Sequence, residues 1–356
     1  MIRKRIANVR KKLDDLELDA FLVSLPPNIR YLSGFTGSNA LLIISQRHQL
    51  LLTDSRYRQQ SKQEVRGYRV VVSDDGLFET IARESLLARF RGVGFEGNYL
   101  PYTAYQNLKK LFSGIRFLPK VSFVESVAAV KDASEIESIR KAVRITDRVF
   151  RDILGMMKPG VRELEIAAEI SYRQRKEGAE RDAFDVIVSS GWRSALPHGR
   201  ASAKRIRAGE LVTLDFGCSV DGYHSDLTRT VAVGSTGRRA REIYRIVLDA
   251  QERAIEAVRS GLSARELDEV ARRYIRSRGY EKYFGHSLGH GLGLQVHELP
   301  KVSSRSKDTL QAGNVIAIEP GIYLPNFGGV RIEDDVLVAN AHGNVLNTAP
   351  KEFVVL

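Results

Sequence analysis

The 356-residue chain has a single cysteine, Cys218, and a single tryptophan. One thiol cannot build an internal disulfide framework or a cysteine-rich metal site. Stability must come from an apolar core, and 43% hydrophobic residues in a chain of this length suffice for one. No apolar run approaches the roughly 20 residues of a membrane-spanning helix. The basic stretch from Met1 to Leu18 lacks the apolar segment and small-residue cleavage site of a secretory signal. Its Ile2, Ile6, Val9 and Leu13 recur at helical spacing, which predicts an amphipathic surface helix with Lys and Arg on the wet side. The expectation is a cytoplasmic protein with no membrane partner. Zinc-finger spacings and aromatic-interleaved platforms are also missing. The formal net charge of +12 is therefore read as basic residues scattered over helices that also carry acids, not as a nucleic-acid surface.

What is present organises into two parts, 1–130 and 131–356. In the first, Ala20–Ser24, Ala40–Ser45, Gln49–Thr53, Val70–Ser73, Val93–Phe95 and Ile115–Leu118 read as strands. Helices are predicted at Ser55–Glu64, Leu77–Phe90 and Tyr102–Phe112, and the alternation indicates an α/β sheet domain. Pro26-Pro27 and Gly34–Gly37 are read as loops. In the second part a long helix runs from Glu135 to Met157, with Ser134 and Glu137 placed as a capping box. Further helices are predicted at Arg162–Lys176, Gly237–Arg259 and Ser263–Arg278. Strand patterns occupy Asp185–Ser189, Glu210–Ser219, Tyr223–Val233, Asn314–Ile318 and Gly329–Ala339. Helix pairs followed by β segments, twice over, indicate a duplicated α+β unit.

The chemistry lies in acids that interrupt apolar strands. Asp215 sits within Leu211–Gly217 and Asp226 within Tyr223–Thr230. A carboxylate there is costly to bury unless it is paired, hydrogen-bonded or bound to metal. Asp221-Gly222 between the two segments is a strong hairpin signal, and folding there brings the two acids onto neighbouring strands. Solvated acids on a surface hairpin explain these residues equally well. A second pair, Glu319 after Val315–Ile318 and Glu333 in Gly329–Asp335, makes coincidence a poor explanation, because acids are depleted from strands. The stretch Gly285–Glu298 adds His286, His290 and His297 among glycines expected to let the backbone pass close to a ligand. Carboxylates with one imidazole suit manganese, cobalt or zinc.

This constellation, over residues 132 to 356, resembles the pita-bread metallopeptidases, the family of aminopeptidase P, prolidase and methionine aminopeptidase. The resemblance implies an α/β N-terminal domain followed by an α+β pita-bread domain. It implies two divalent metal ions, manganese foremost, on Asp215, Asp226, His290, Glu319 and Glu333, with Asp226 and Glu333 shared between them. All five positions are filled, which argues against creatinase and the histone-chaperone relatives. By the same resemblance Glu319 is also the proton shuttle. His198 and His297 are donors to the oxyanion, and His286 binds substrate or orders its loop. Arg331 and Tyr223 support the ligand carboxylates. Leu32–Ser38, Leu52–Tyr57 and Val93–Gly97 resemble the creatinase-type N-terminal domain, which methionine aminopeptidases lack. That points to cleavage of Xaa-Pro bonds in proline-containing peptides by a homodimer or higher homo-oligomer.

Within that branch the sequence reading leans to an Xaa-Pro aminopeptidase, with the Xaa-Pro dipeptidase, prolidase, as alternative. Lys301, where some prolidases resemble this segment with arginine, is the candidate for binding a substrate carboxylate. Two other classes compete. Gly285-His-Ser-Leu-Gly289 fits the serine-hydrolase elbow, which requires a helix after Ser287. A non-enzymatic peptide-binding module on the same fold is the other.

Overall fold

A computed structural model describes all 356 residues, in two compact units, Met1–Ala128 and Ala129–Leu356. In the first unit, β1 (Ala20–Val23), β2 (Ala40–Ser45), β3 (Gln49–Asp54), β4 (Arg69–Ser73), β5 (Gly92–Glu96) and β6 (Arg116–Lys120) form one sheet. Its order is β4-β3-β2-β1-β5-β6. The β1–β2 and β2–β3 pairs are antiparallel, and β3–β4, β1–β5 and β5–β6 are parallel. The helices are α1 (Ile2–Asp15), α2 (Pro26–Ser33), α3 (Arg58–Glu64), α4 (Leu77–Arg83), α5 (Tyr102–Leu111) and α6 (Glu125–Ala128). As its spacing predicts, α1 buries Ile6, Val9 and Leu13 on one face. Pro26-Pro27 opens a helix instead of marking a loop. Proline suits the first helical turn, where its missing N–H would have no partner anyway. The helix expected over Leu77–Phe90 stops at Arg83, because the chain turns at Ser85 with φ 52.

The second unit has α7 (Ala133–Leu154), α8 (Glu163–Lys176), α9 (Arg238–Ala257) and α10 (Ala264–Ser277). Its strands are β7 (Arg181–Asp182), β8 (Ile187–Ser190), β9 (Glu210–Phe216), β10 (Cys218–Val220), β11 (Tyr223–His224) and β12 (Leu227–Val233), then β13 (Gly289–Gly291), β14 (Glu298–Val302), β15 (Val315–Ile318), β16 (Gly321–Leu324), β17 (Gly328–Arg331), β18 (Asp334–Val338) and β19 (Gly343–Val345). Two halves repeat one plan. Helices α7 and α8 bury Phe150, Ile153, Ile166 and Ile170 against Val188, Leu214 and Val231 of the β12-β9-β8 sheet. Helices α9 and α10 bury Ile243, Val247, Leu267 and Ile275 against Ile316, Ile318, Val330 and Val336. Each such side chain, fully buried, contributes about 1.5–3 kcal/mol. No helix is long and apolar enough to cross a membrane.

The capping box of α7 lies two residues before its predicted place. Asp132 accepts from the Ser134 and Glu135 N–H groups, and Glu135 reaches back to the Asp132 N–H at 2.9 Å. Asp132-x-x-Glu135 and Ser134-x-x-Glu137 both satisfy the pattern, so sequence does not choose between them. Asp132→Ala should destabilise the second unit by about 1 kcal/mol. A urea midpoint identical to that of the unmutated protein would contradict this.

Candidate metal centre

The hairpin at Asp221-Gly222 forms, with φ 52 and 82 at the two turn residues, the left-handed pair that a two-residue turn requires. Beyond it β12 runs antiparallel to β9 and sets Thr228 opposite Asp215, with Asp226 one residue before β12 begins. Only Asp215 lies within a strand. Glu319 follows the last residue of β15, and Glu333 stands in the gap between β17 and β18. The continuous strand expected over Gly329–Ala339 is broken there because β17 and β18 belong to different sheets. In the gap the Glu333 N–H turns to the Thr228 carbonyl at 3.1 Å.

His290 comes from β13, the strand between β14 and β15. Its neighbours explain the glycine-rich segment. A Cβ at Gly289 would meet the Ala317 carbonyl oxygen at 1.9 Å, and one at Gly291 the Leu299 carbonyl oxygen at 2.1 Å. These glycines admit flanking strands, where the sequence reading expected a ligand. The His290 ring donates from Nδ1 to the Gly291 carbonyl at 3.1 Å. That leaves Nε2 facing Glu319 at 3.7 Å and Asp226 at 3.8 Å.

Asp226, His290 and Glu333 are buried, and each offers a ligand atom within 4.8 Å of the others. Burial, then the nearby Glu333 and Asp215, raises the Asp226 carboxyl well above the carboxylate range. Burial and Glu333 raise Glu319 in the same way. Glu333 is pushed up to about 8 by burial and Asp215. Burial and His297 hold His290 down at about 4, so its imidazole is neutral at pH 7. Asp226 Oδ1 is buried without a hydrogen-bond partner. Crowded oxygens, a neutral imidazole with a free Nε2 and an orphaned carboxylate oxygen fit a divalent cation.

Arg331, from the end of β17, is buried and organises the surroundings. It donates to Asp215 at 2.5 Å, to Thr228 Oγ1 at 3.1 Å, to the Pro197 carbonyl at 3.2 Å and to the Tyr323 hydroxyl at 2.8 Å. Thr228 in turn donates to Glu333 at 2.6 Å. The neighbouring Asp334 pairs with Arg229 at 2.7 Å and Lys351 at 3.0 Å, not with Arg331. His286 donates from Nδ1 to the Ser287 carbonyl and accepts from the Tyr323 hydroxyl at Nε2, both at 2.8 Å. Burial and the Arg331 cation lower its pKa to about 4.

His198 and His297 are exposed. The His297 ring stands edge-on to His290, with centroids 4.4 Å apart. Lys301 is exposed and is the cross-strand partner of His290, so the two side chains share a sheet face. The Tyr223 hydroxyl donates to Glu135 at 2.9 Å. Ser287 is followed by strand β13, not by the helix that a nucleophile elbow requires.

Three participants escaped the sequence reading. Thr228 and Tyr323 carry no signal, since both types are ordinary in strands. Asp335 does carry one, as the acid two residues beyond Glu333. It is buried and accepts the Asp226 N–H at 3.0 Å.

Residues 137–340 match metallopeptidase family M24, and residues 5–130 match the creatinase/prolidase N-terminal domain. The chain is 38% identical to an Xaa-Pro dipeptidase of Pyrococcus furiosus over 358 residues, covering 99% of this chain and 100% of that one. Among solved structures, an Xaa-Pro dipeptidase from Bacillus anthracis is 40% identical over 100% of both chains, with a TM-score of 0.96. An X-Pro aminopeptidase from Thermotoga maritima is 38% identical over 97% of this chain and 100% of that one, with a TM-score of 0.89. With one family match spanning most of the second unit and relatives aligned end to end, the chain belongs to metallopeptidase family M24, a creatinase/prolidase-type domain preceding its pita-bread domain.

Proposed function

We propose that this protein is an Xaa-Pro dipeptidase whose catalytic part is 131–356, preceded by a creatinase-type domain over 1–130. The observation that carries the reading is the buried convergence of Asp226, His290 and Glu333, with one Asp226 oxygen lacking a partner. Asp215, Asp226, His290, Glu319 and Glu333 would hold two divalent ions, manganese foremost, with cobalt or zinc as substitutes. Such ions, when bound, neutralise the crowded carboxylates, polarise a carbonyl and supply a water acidic enough to ionise near neutral pH.

The side chains supply the rest. Glu319 takes the proton of the attacking water and passes it to the departing proline nitrogen. Its buried, raised carboxyl suits transfer in both directions. His198 and His297 offer N–H donors to the oxyanion. His286 stays neutral and, through Tyr323, steadies the Arg331 guanidinium that orients Asp215. Tyr223 and Glu135 hold the start of β11 against the start of α7.

Sequence alone favours an aminopeptidase. The relatives favour the dipeptidase alternative, since those from Pyrococcus furiosus and Bacillus anthracis bear that name and align end to end. Lys301, on the His290 face of the sheet, would receive the free carboxylate of the substrate's proline. The Thermotoga maritima aminopeptidase sustains the second reading, in which longer peptides lose their first residue. An assembly of two or more copies belongs to this proposal.

Hydrolysis of Xaa-Pro compared with Xaa-Pro-Yaa separates the two. The free carboxylate should favour the dipeptide by about 10- to 100-fold in kcat/KM, the worth of one charge-assisted contact. Equal or faster cleavage of tripeptides would return the assignment to the aminopeptidase.

A further inference from the structure

Another buried charge pair lies apart from the acid cluster. The Lys131 ammonium meets Glu298 Oε1 at 2.5 Å, with side-chain exposures of 1% and 7%. An ion pair this deep is expensive to desolvate and weak evidence for stability in itself, so its position asks for another role. Glu298 directly follows His297 in the chain. Its carboxylate folds back beneath the 292–297 loop and accepts the Gln295 N–H at 3.3 Å. A Cβ at Gly293 would lie 2.5 Å from that carboxylate. The loop is thus wrapped around the Glu298 side chain.

Lys131 is itself fastened. Its N–H donates to the Gly313 carbonyl at 2.9 Å, and its ammonium also reaches the Ala129 carbonyl at 3.1 Å. That carbonyl accepts Asn314 Nδ2 at 2.9 Å. Gly313 and Asn314 lead directly into β15, whose far end delivers Glu319. The His297 ring makes no hydrogen bond within the chain, so the loop backbone and the edge-on packing against His290 set where it stands. A continuous set of contacts therefore runs from the root of β15 through Lys131 and Glu298 to His297.

We propose that the Lys131–Glu298 pair is a positioning device that registers His297 against the strand carrying Glu319. The proposal rests on the reading of His297 as a group that faces substrate. The test is a kinetic cycle on an Xaa-Pro dipeptide with the manganese-loaded protein, using Lys131→Met, Glu298→Gln, His297→Ala and the double variants with His297→Ala. Misplacement of about 1 Å costs on the order of 100-fold. Lys131→Met should therefore lower kcat by roughly 10- to 100-fold at nearly constant KM and metal content. Glu298→Gln, which keeps an acceptor oxygen for the lysine, should lower it less. In the His297→Ala background neither change should cost anything further, because their effect passes through that ring. Full additive losses in that background, or unmutated kcat in Lys131→Met, would overturn the positioning role. A His297→Ala protein with undiminished kcat would instead remove His297 from the reaction. If Lys131→Met does not fold, the cycle of Glu298→Gln with His297→Ala gives the same readout.

Discussion

Stripping divalent ions from this protein should abolish peptide hydrolysis, and returning manganese or cobalt should restore it. Asp226, Glu319 and Glu333 are held together in a site that burial and mutual repulsion make hostile to negative charge. Without a cation they resist ionising, and a carboxyl that keeps its proton neither ligates nor accepts a proton from water. The same crowding predicts a pH signature. In the ion-free folded chain Glu333 titrates near 8, whereas an unfolded glutamate does so near ~4.3. Between those values the folded state binds more protons than the unfolded one. Its contribution is therefore complete below about 4.3 and is lost as pH rises through 8. Melting temperature of the chelated protein should fall from pH 7 to 8, above the range in which the depressed His286 and His290 act in the opposite sense, while the manganese-loaded protein stays higher and flatter, since ions displace those protons. Activity that survives rigorous chelation, or coincident melting profiles for the two forms, would contradict the argument.

Glu319→Ala should lower kcat by about three orders of magnitude, within the 10²–10⁴ typical of a lost general base. The Glu319 N–H is tied to the Leu288 carbonyl at 2.8 Å, so the backbone does not depend on the carboxylate. Its side chain lies 3.7 Å from His290 Nε2, where a ligand and a proton carrier are wanted together. Glu319→Gln, which keeps an oxygen but cannot take the proton, should be nearly as slow while retaining more metal. Turnover near the unmutated value in the alanine variant, with metal content measured alongside, would remove Glu319 from the chemistry.

How much of this was legible beforehand depended on the kind of signal. Acids that interrupt apolar sequence are anomalous, so Asp215, Asp226, Glu319 and Glu333 stand out without any coordinates, although only Asp215 lies inside a strand. The Asp221-Gly222 turn announced itself because few residue pairs adopt two left-handed conformations. Short strands such as Gly289–Gly291 and Gly321–Leu324 were not legible, since glycine hides the alternation that marks a strand. Two overlapping capping frames leave the start of α7 ambiguous in sequence, and Pro26-Pro27 reads as a loop although it opens α2. Thr228 and Tyr323 stayed invisible because a hydroxyl in a strand has no function until its neighbours are known.

The bonds that close the centre span long stretches of chain. The Asp226 N–H meets the Asp335 carboxylate across 109 residues, and the Thr228 hydroxyl meets Glu333 across 105. Such contacts form only after large loops have closed, and topologies rich in them fold slowly, whereas helices form early. During renaturation, ellipticity should return well before the capacity to bind cations. Recovered enzymatic turnover is then a stricter criterion of correct refolding than a recovered far-ultraviolet spectrum.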